Sequence, residues 1–183
     1  MGNLDKHLGK GVIAGLTAGL AATYVMTKFQ NLTAKLGEVL ERDEPQDPQH
    51  SAHRGTEKSA KQERQGDDAT VKAASAISEG IFHHELSQRE KEIAGPAMHY
   101  GFGVLTAGLY GALAELEPAV AVGAGLPFGA TVWLGADEVA VPAFGLAGPP
   151  LEHPPSVHLR ALAAHLVYGL TAETVRRQVR RLL

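Results

Sequence analysis

The sequence predicts an all-α fold, read as a polytopic membrane protein of about four transmembrane helices in two similar hairpins. Three observations predict it. Charge and apolarity are segregated along the chain, although the averages (44% apolar, 20% charged, net charge −3) are those of a soluble protein. Uncharged stretches of 17 or 18 residues recur, close to the length a bilayer-crossing helix needs. Those stretches are apolar all round, whereas the helices of a soluble Ala/Gly-rich bundle would carry a charged stripe.

The first stretch runs from Gly11 to Thr27. Lysines flank it and small residues lie near Ala18–Ala22, which also suits a cleaved signal peptide. The apolar run is longer than an average signal core and no clear extracellular domain follows, so a span is expected. The start MGNLDK has no Ser or Thr at position 6 and fails the myristoylation pattern. The second stretch is Ala97–Ala114, with one His, and the third is Ala119–Ala136, closed by Asp137 and Glu138. The fourth, Ala161–Ala172, has 12 residues between Arg160 and Glu173. It spans only if Arg160 and the terminal arginines snorkel to opposite faces.

Three regions follow: residues 1–29 as an N-terminal transmembrane helix, 30–94 as a polar external insertion, and 95–183 as three further spans with a basic tail. The insertion holds nine basic and thirteen acidic side chains. Its residues 31–42 continue the first helix, and 43–66, polar with two prolines, read as disordered linker. A helix over 67–84 follows, capped by Asp67 or Asp68, with Val71, Ala74, Ile77, Ile81 and Phe82 on one side. Ser87 and Glu90 form a capping-box pattern, and Pro96 predicts a kink.

Orientation follows the basic residues. Arg176, Arg177, Arg180 and Arg181 form the strongest cluster, a topology anchor placed in the cytoplasm, and Lys6 and Lys10 place the N-terminus there too. Lys28 and Arg160 disagree mildly. The expected location is a bacterial inner membrane, multi-pass, with the acidic insertion and the 147–157 loop outside. The lipid bilayer is the expected partner, with a homo-oligomer or another membrane protein beside it.

Two segments resemble each other. Ala97-x-His99-x-x-Phe102-Gly103 parallels Ala163-x-His165-x-x-Tyr168-Gly169. Each follows a span with glycines at four-residue spacing, Gly11, Gly15 and Gly19 in the first case, Gly125 and Gly129 in the second. Such ladders let helix backbones approach closely in a bilayer. The segment from about His99 onward also carries Tyr110, Ala114-Glu115-x-x-Pro118, Pro142-x-x-Gly145-Leu146-x-x-Pro149-Pro150, His165-Leu166-Val167 and Glu173-x-x-Arg176-Arg177. In that order and near-spacing it resembles the YagU-like family of bacterial inner-membrane proteins, a largely uncharacterised group. The resemblance implies membrane location and, through one member, a link to acid resistance. The polar 43–66 linker departs from the family's pattern.

Absent chemistry narrows the function. With no cysteine, a disulfide scaffold, a thiolate zinc site and a cysteine nucleophile are excluded. The mild acidity argues against nucleic acid as partner. No G-x-S-x-G, no phosphate-binding Gly loop and no H-E-x-x-H occurs, so no enzyme is expected. His83-His84-Glu85 makes a poor metal site, since adjacent helical side chains diverge, and no metal or cofactor is expected. The candidate site is a proton-responsive group of His99, Asp137, Glu138, His158 and His165 near the outer face, because titratable side chains in spans mark function by default. The plain alternative for His99 and His165 is interhelical hydrogen bonding. Two further readings remain open: an accessory or structural membrane subunit without chemistry, and a haem held between His99 and His165.

Overall fold

The computed structural model describes residues 3–42 and 69–183. Among them all regular structure is helical. The 43–66 linker and the caps expected at Asp67 or Asp68 lie outside the described residues.

Helix α1 (Asn3–Arg42) runs unbroken for 40 residues, through 31–42 as expected. At 1.5 Å per residue it is about 60 Å long, roughly twice the thickness of a hydrocarbon core. Helix α2 (Ala69–Phe82) lies against the start of α3 (Gln88–Leu116). The reversal between them passes through His83 in the left-handed region and is held by Ser78, whose hydroxyl donates to the His84 carbonyl. The capping box is present. Ser87 accepts from the Glu90 amide, and the Glu90 carboxylate accepts from the Ser87 amide and hydroxyl. Those bonds, with His84 beside them, hold the Glu90 carboxyl down at about 2. Helix α3 continues through Pro96.

The third apolar stretch departs from expectation. Residues after Leu116 form a 3-10 turn, Pro118–Ala121, and then a reversal in which Gly123, Ala124 and Gly125 all take positive φ. Helix α4 (Leu126–Trp133) starts only there. It passes into a π-helix, Leu134–Ala140, and ends in one α turn, Val141–Ala143. The helical rod therefore runs from Leu126 to Ala143 rather than from Ala119 to Ala136. Glycines at 123 and 125 favour the left-handed reversal, and Pro127 suits the first turn of a helix. Pro142 has no N–H for the Glu138 carbonyl, which removes one bond that would hold this turn in α register. A loop with a 3-10 turn at Pro150–Glu152 leads to α5 (Pro155–Leu182), which contains the fourth stretch.

Helix α1 packs on both α3 and α5, and α4 packs on α5. The interior consists of small residues. Ala14, Ala18, Ala22, Ala107, Ala114, Ala164 and Ala172 are buried, with Tyr110 and Tyr168 the largest apolar contributors beside Met26. Large aliphatic and aromatic residues point outward, among them Ile13, Leu20, Val25, Phe102, Leu105, Leu109, Leu134 and Val139. This is the reverse of a water-soluble bundle, where the large apolar side chains fill the core. Among the described residues, one helix is long and apolar enough to cross a bilayer by length and composition, over His7–Gly37. The second stretch is diluted by glycine, tyrosine and histidine, and the third is interrupted by the change of helical register.

Candidate functional site: two titratable clusters at opposite ends of the bundle

The glycine ladders bring helix backbones together. A Cβ on Gly15 would overlap the Ala107 carbonyl, one on Gly11 the Gly111 carbonyl, and one on Gly19 the Cα of Val104. In the second hairpin a Cβ on Gly125 would overlap the Gly169 carbonyl, and one on Gly129 the His165 carbonyl. So α1 meets α3, and α4 meets α5, through opposed small residues. Several threonine hydroxyls are absorbed within their own helices. Thr17, Thr106, Thr131, Thr171 and Thr174 each donate to the carbonyl four residues back, a habit that suits surroundings without water.

One titratable cluster lies where the π-helix meets the start of α5. His158 turns Nδ1 to the Glu138 carboxylate at 2.6 Å and Nε2 to the Pro150 carbonyl at 2.9 Å. Both ring nitrogens face acceptors, and only a doubly protonated ring donates to both. The hydrogen bond to Glu138 accordingly raises the His158 pKa above its ordinary value. The His153 ring stands 6.3 Å from that of His158. Two turns further along α5, buried His165 donates from Nδ1 to the Ala161 carbonyl at 3.0 Å, and the same nitrogen lies 3.6 Å from Asp137 Oδ2. The π-helix thus offers its two carboxylates to two histidines of α5. His99 turns to a different helix, its Nε2 lying 3.4 Å from Thr27 Oγ1 of α1. The structure pairs Glu138 with His158 and Asp137 with His165, and sets His99 beside Thr27 of α1. The two rings suggested for haem turn to different helices. Among the described residues no group of three or more His, Asp or Glu forms a metal site.

The second cluster lies at the other end of α5 and is more deeply buried. Glu173 is 1% exposed. Its carboxylate accepts from Arg176 twice (2.7 and 2.9 Å), from Arg177 and from the Tyr110 hydroxyl (2.9 Å). Phe128 stacks on the Tyr110 ring at 4.1 Å, and the Arg176 guanidinium lies over the same ring, 5.8 Å from its centroid. Arg180 grips Glu115 of α3 through two bonds of 2.6 and 3.0 Å, and its Nη2 meets His7 of α1. The Arg180 bond holds the Glu115 carboxyl below the usual carboxylate range. Three helices are fastened here by residues up to 173 positions apart.

Spacing along the chain showed Glu173 with Arg176 and Arg177 as neighbours on one helix. It missed Tyr110 as a partner of Glu173 and Glu115 as the partner of Arg180. A tyrosine inside an apolar stretch was the available signal, since a buried hydroxyl requires an acceptor.

The family profile described as "Protein of unknown function (DUF1440)" matches residues 73–174, more than half of the chain. The chain belongs to the DUF1440 family. The matched region covers α2 from Ala73 onward, α3, α4 with its π segment, and α5 as far as Thr174, so both clusters have residues in the DUF1440 region. No curated protein and no solved structure matches the chain.

Proposed function

We propose that this DUF1440 protein is an integral inner-membrane protein, of the YagU-like kind, whose outer end carries a proton-responsive clasp between the π-helix and α5. The membrane part of the reading is supported by the inverted distribution of side chains, with alanine, glycine, tyrosine and charge inside and leucine, isoleucine and phenylalanine outside. Four crossings use α1, α3, the Leu126–Ala143 rod and α5. Both termini lie on the cytoplasmic side with the arginine cluster.

One observation carries the proton-responsive part: both nitrogens of His158 face oxygen acceptors. The sign follows from the raised pKa. The contribution of this clasp is fully present below the ordinary histidine pKa and is lost as pH rises through the folded value. External acid therefore fastens the π segment to α5, and pH rising through the raised His158 value releases it. A role in acid stress follows from this direction of response.

The test uses the chain's single tryptophan, Trp133, the last residue of α4 before the π segment. Its fluorescence in the detergent-purified protein is expected to titrate with a midpoint above that of a free histidine, and His158→Gln is expected to flatten the curve. A titration unchanged by His158→Gln would remove the clasp from the account.

A second reading, an accessory subunit without chemistry, is favoured by the exposed Ile77, Ile81 and Phe82 of α2. A stoichiometric partner retained on gentle solubilisation and lost in an Ile81→Ser, Phe82→Ser variant would support it.

A further inference from the structure

At the cytoplasmic end the charges do not cancel. Glu173 is saturated by Arg176, Arg177 and Tyr110, and Glu115 is held at both oxygens by Arg180. Four arginines thus stand against two carboxylates, and the two guanidiniums left exposed are those of Arg177, which is still bonded to Glu173, and Arg181. Arg177 is half exposed, with Nε on Glu173 and Nη2 on the Ala121 carbonyl at 3.1 Å. Arg181 is exposed one turn on, and among the described residues no carboxylate pairs with it.

These two arginines share a face with less polar neighbours. Leu170, Thr174, Arg177 and Arg181 follow a four-three-four spacing, which places them in one line along a helix. All four are exposed. Leu170 is 45% exposed, and the Thr174 hydroxyl is turned back onto the Leu170 carbonyl at 2.7 Å. Val122 and Leu126, both exposed, lie in the turn and helix start that follow Ala121, the residue Arg177 holds. The line therefore reads, from the bilayer outward, as apolar contact, masked hydroxyl and two guanidiniums. Guanidinium suits a phosphate because its planar donors bind two oxygens at once.

We propose that this face of α5 holds one anionic phospholipid of the cytoplasmic leaflet, its phosphate between Arg177 and Arg181 and its first acyl segment along Leu170. The inference rests on the membrane reading above. A free phosphate would meet the same two guanidiniums but would gain nothing from Leu170.

Native mass spectrometry of the detergent-purified full chain tests it, with phosphatidylglycerol and phosphatidylcholine of identical acyl chains as probes and inorganic phosphate as competitor. Phosphatidylglycerol is expected to bind more tightly, by roughly fivefold per arginine. Arg181→Gln, which breaks no ion pair among the described residues, is expected to remove one such factor, and Arg177→Gln with Arg181→Gln to bring the two lipids to parity. Equal retention of both lipids by the parent protein overturns the proposal. Displacement of phosphatidylglycerol by inorganic phosphate at matched concentration also overturns it, making the ligand a free anion. Alkaline carbonate extraction of membranes in parallel separates the two levels. Release into the supernatant overturns the membrane reading itself, whereas retention in the pellet with equal lipid binding overturns the lipid site alone.

Discussion

Glu173 shows how a carboxylate is kept inside a bundle of small residues. An isolated buried charge is strongly unfavourable, and its neutralisation here uses two arginines and a tyrosine hydroxyl. Replacing Glu173 by Gln leaves Arg176, itself 8% exposed, without its counter-charge. The expected loss is about 3–5 kcal/mol, as for other buried pairs broken on one side, read from denaturant unfolding in micelles. Tyr110→Phe removes one hydrogen bond and keeps the Phe128 stack, so a loss of about 1 kcal/mol is expected in the same assay. Equal effects from the two variants would show that the network does not depend on the arginine pairing. Glu115 responds to pH in the opposite sense to His158. Its carboxyl is depressed, so its contribution is present above the ordinary carboxylate pKa and is lost as pH falls through the lower folded value. Mild acid therefore strengthens the His158–Glu138 contact before it weakens the Glu115–Arg180 contact.

At the scale of elements, backbone contact between helices decides which glycines matter. Gly15→Ala places a methyl group against the Ala107 carbonyl, and backbone cannot give way as a flexible side chain can. A loss of roughly 1–3 kcal/mol is expected from such overpacking. Gly9, in the same helix, has nothing within 4 Å of an added Cβ. Gly9→Ala is expected to be neutral or to stabilise by up to about 1 kcal/mol, because alanine loses less conformational freedom in a helix. Thermal unfolding of the two variants side by side checks the contrast. The spacing of Gly11, Gly15 and Gly19 was legible in the sequence as a packing ladder. Its counterpart on α3 was not, since Gly103, Ala107 and Gly111 become a matching surface only when the two helices cross there. The π register of Leu134–Ala140 was equally hidden: periodicity over seven residues does not separate α from π.

For the molecule as a whole, sidedness is the decisive measurement. The chain lacks cysteine, so Glu117→Cys and His153→Cys provide single reporters in the turn before α4 and the loop before α5. Labelling in intact cells with a membrane-impermeant maleimide is expected at 153 and absent at 117. Equal labelling of both would remove the four-crossing topology.

The sequence by itself determined the helical class, the charge-free stretches, the capping box at Ser87 and Glu90, and the two histidine-aromatic-glycine repeats, because all of these are written in residue types at short spacing. Only the tertiary structure decided that Tyr110 meets Glu173, that Glu115 meets Arg180, and that Glu138 meets His158. Those partners stand 63, 65 and 20 residues apart. Short-range periodicity fixes which face of a helix is small or polar, whereas partner choice depends on where the rods cross and on the turn at which the third rod begins. The late start at Leu126 and the π-helix after Trp133 set the register that carries Asp137 and Glu138 to the histidines of α5.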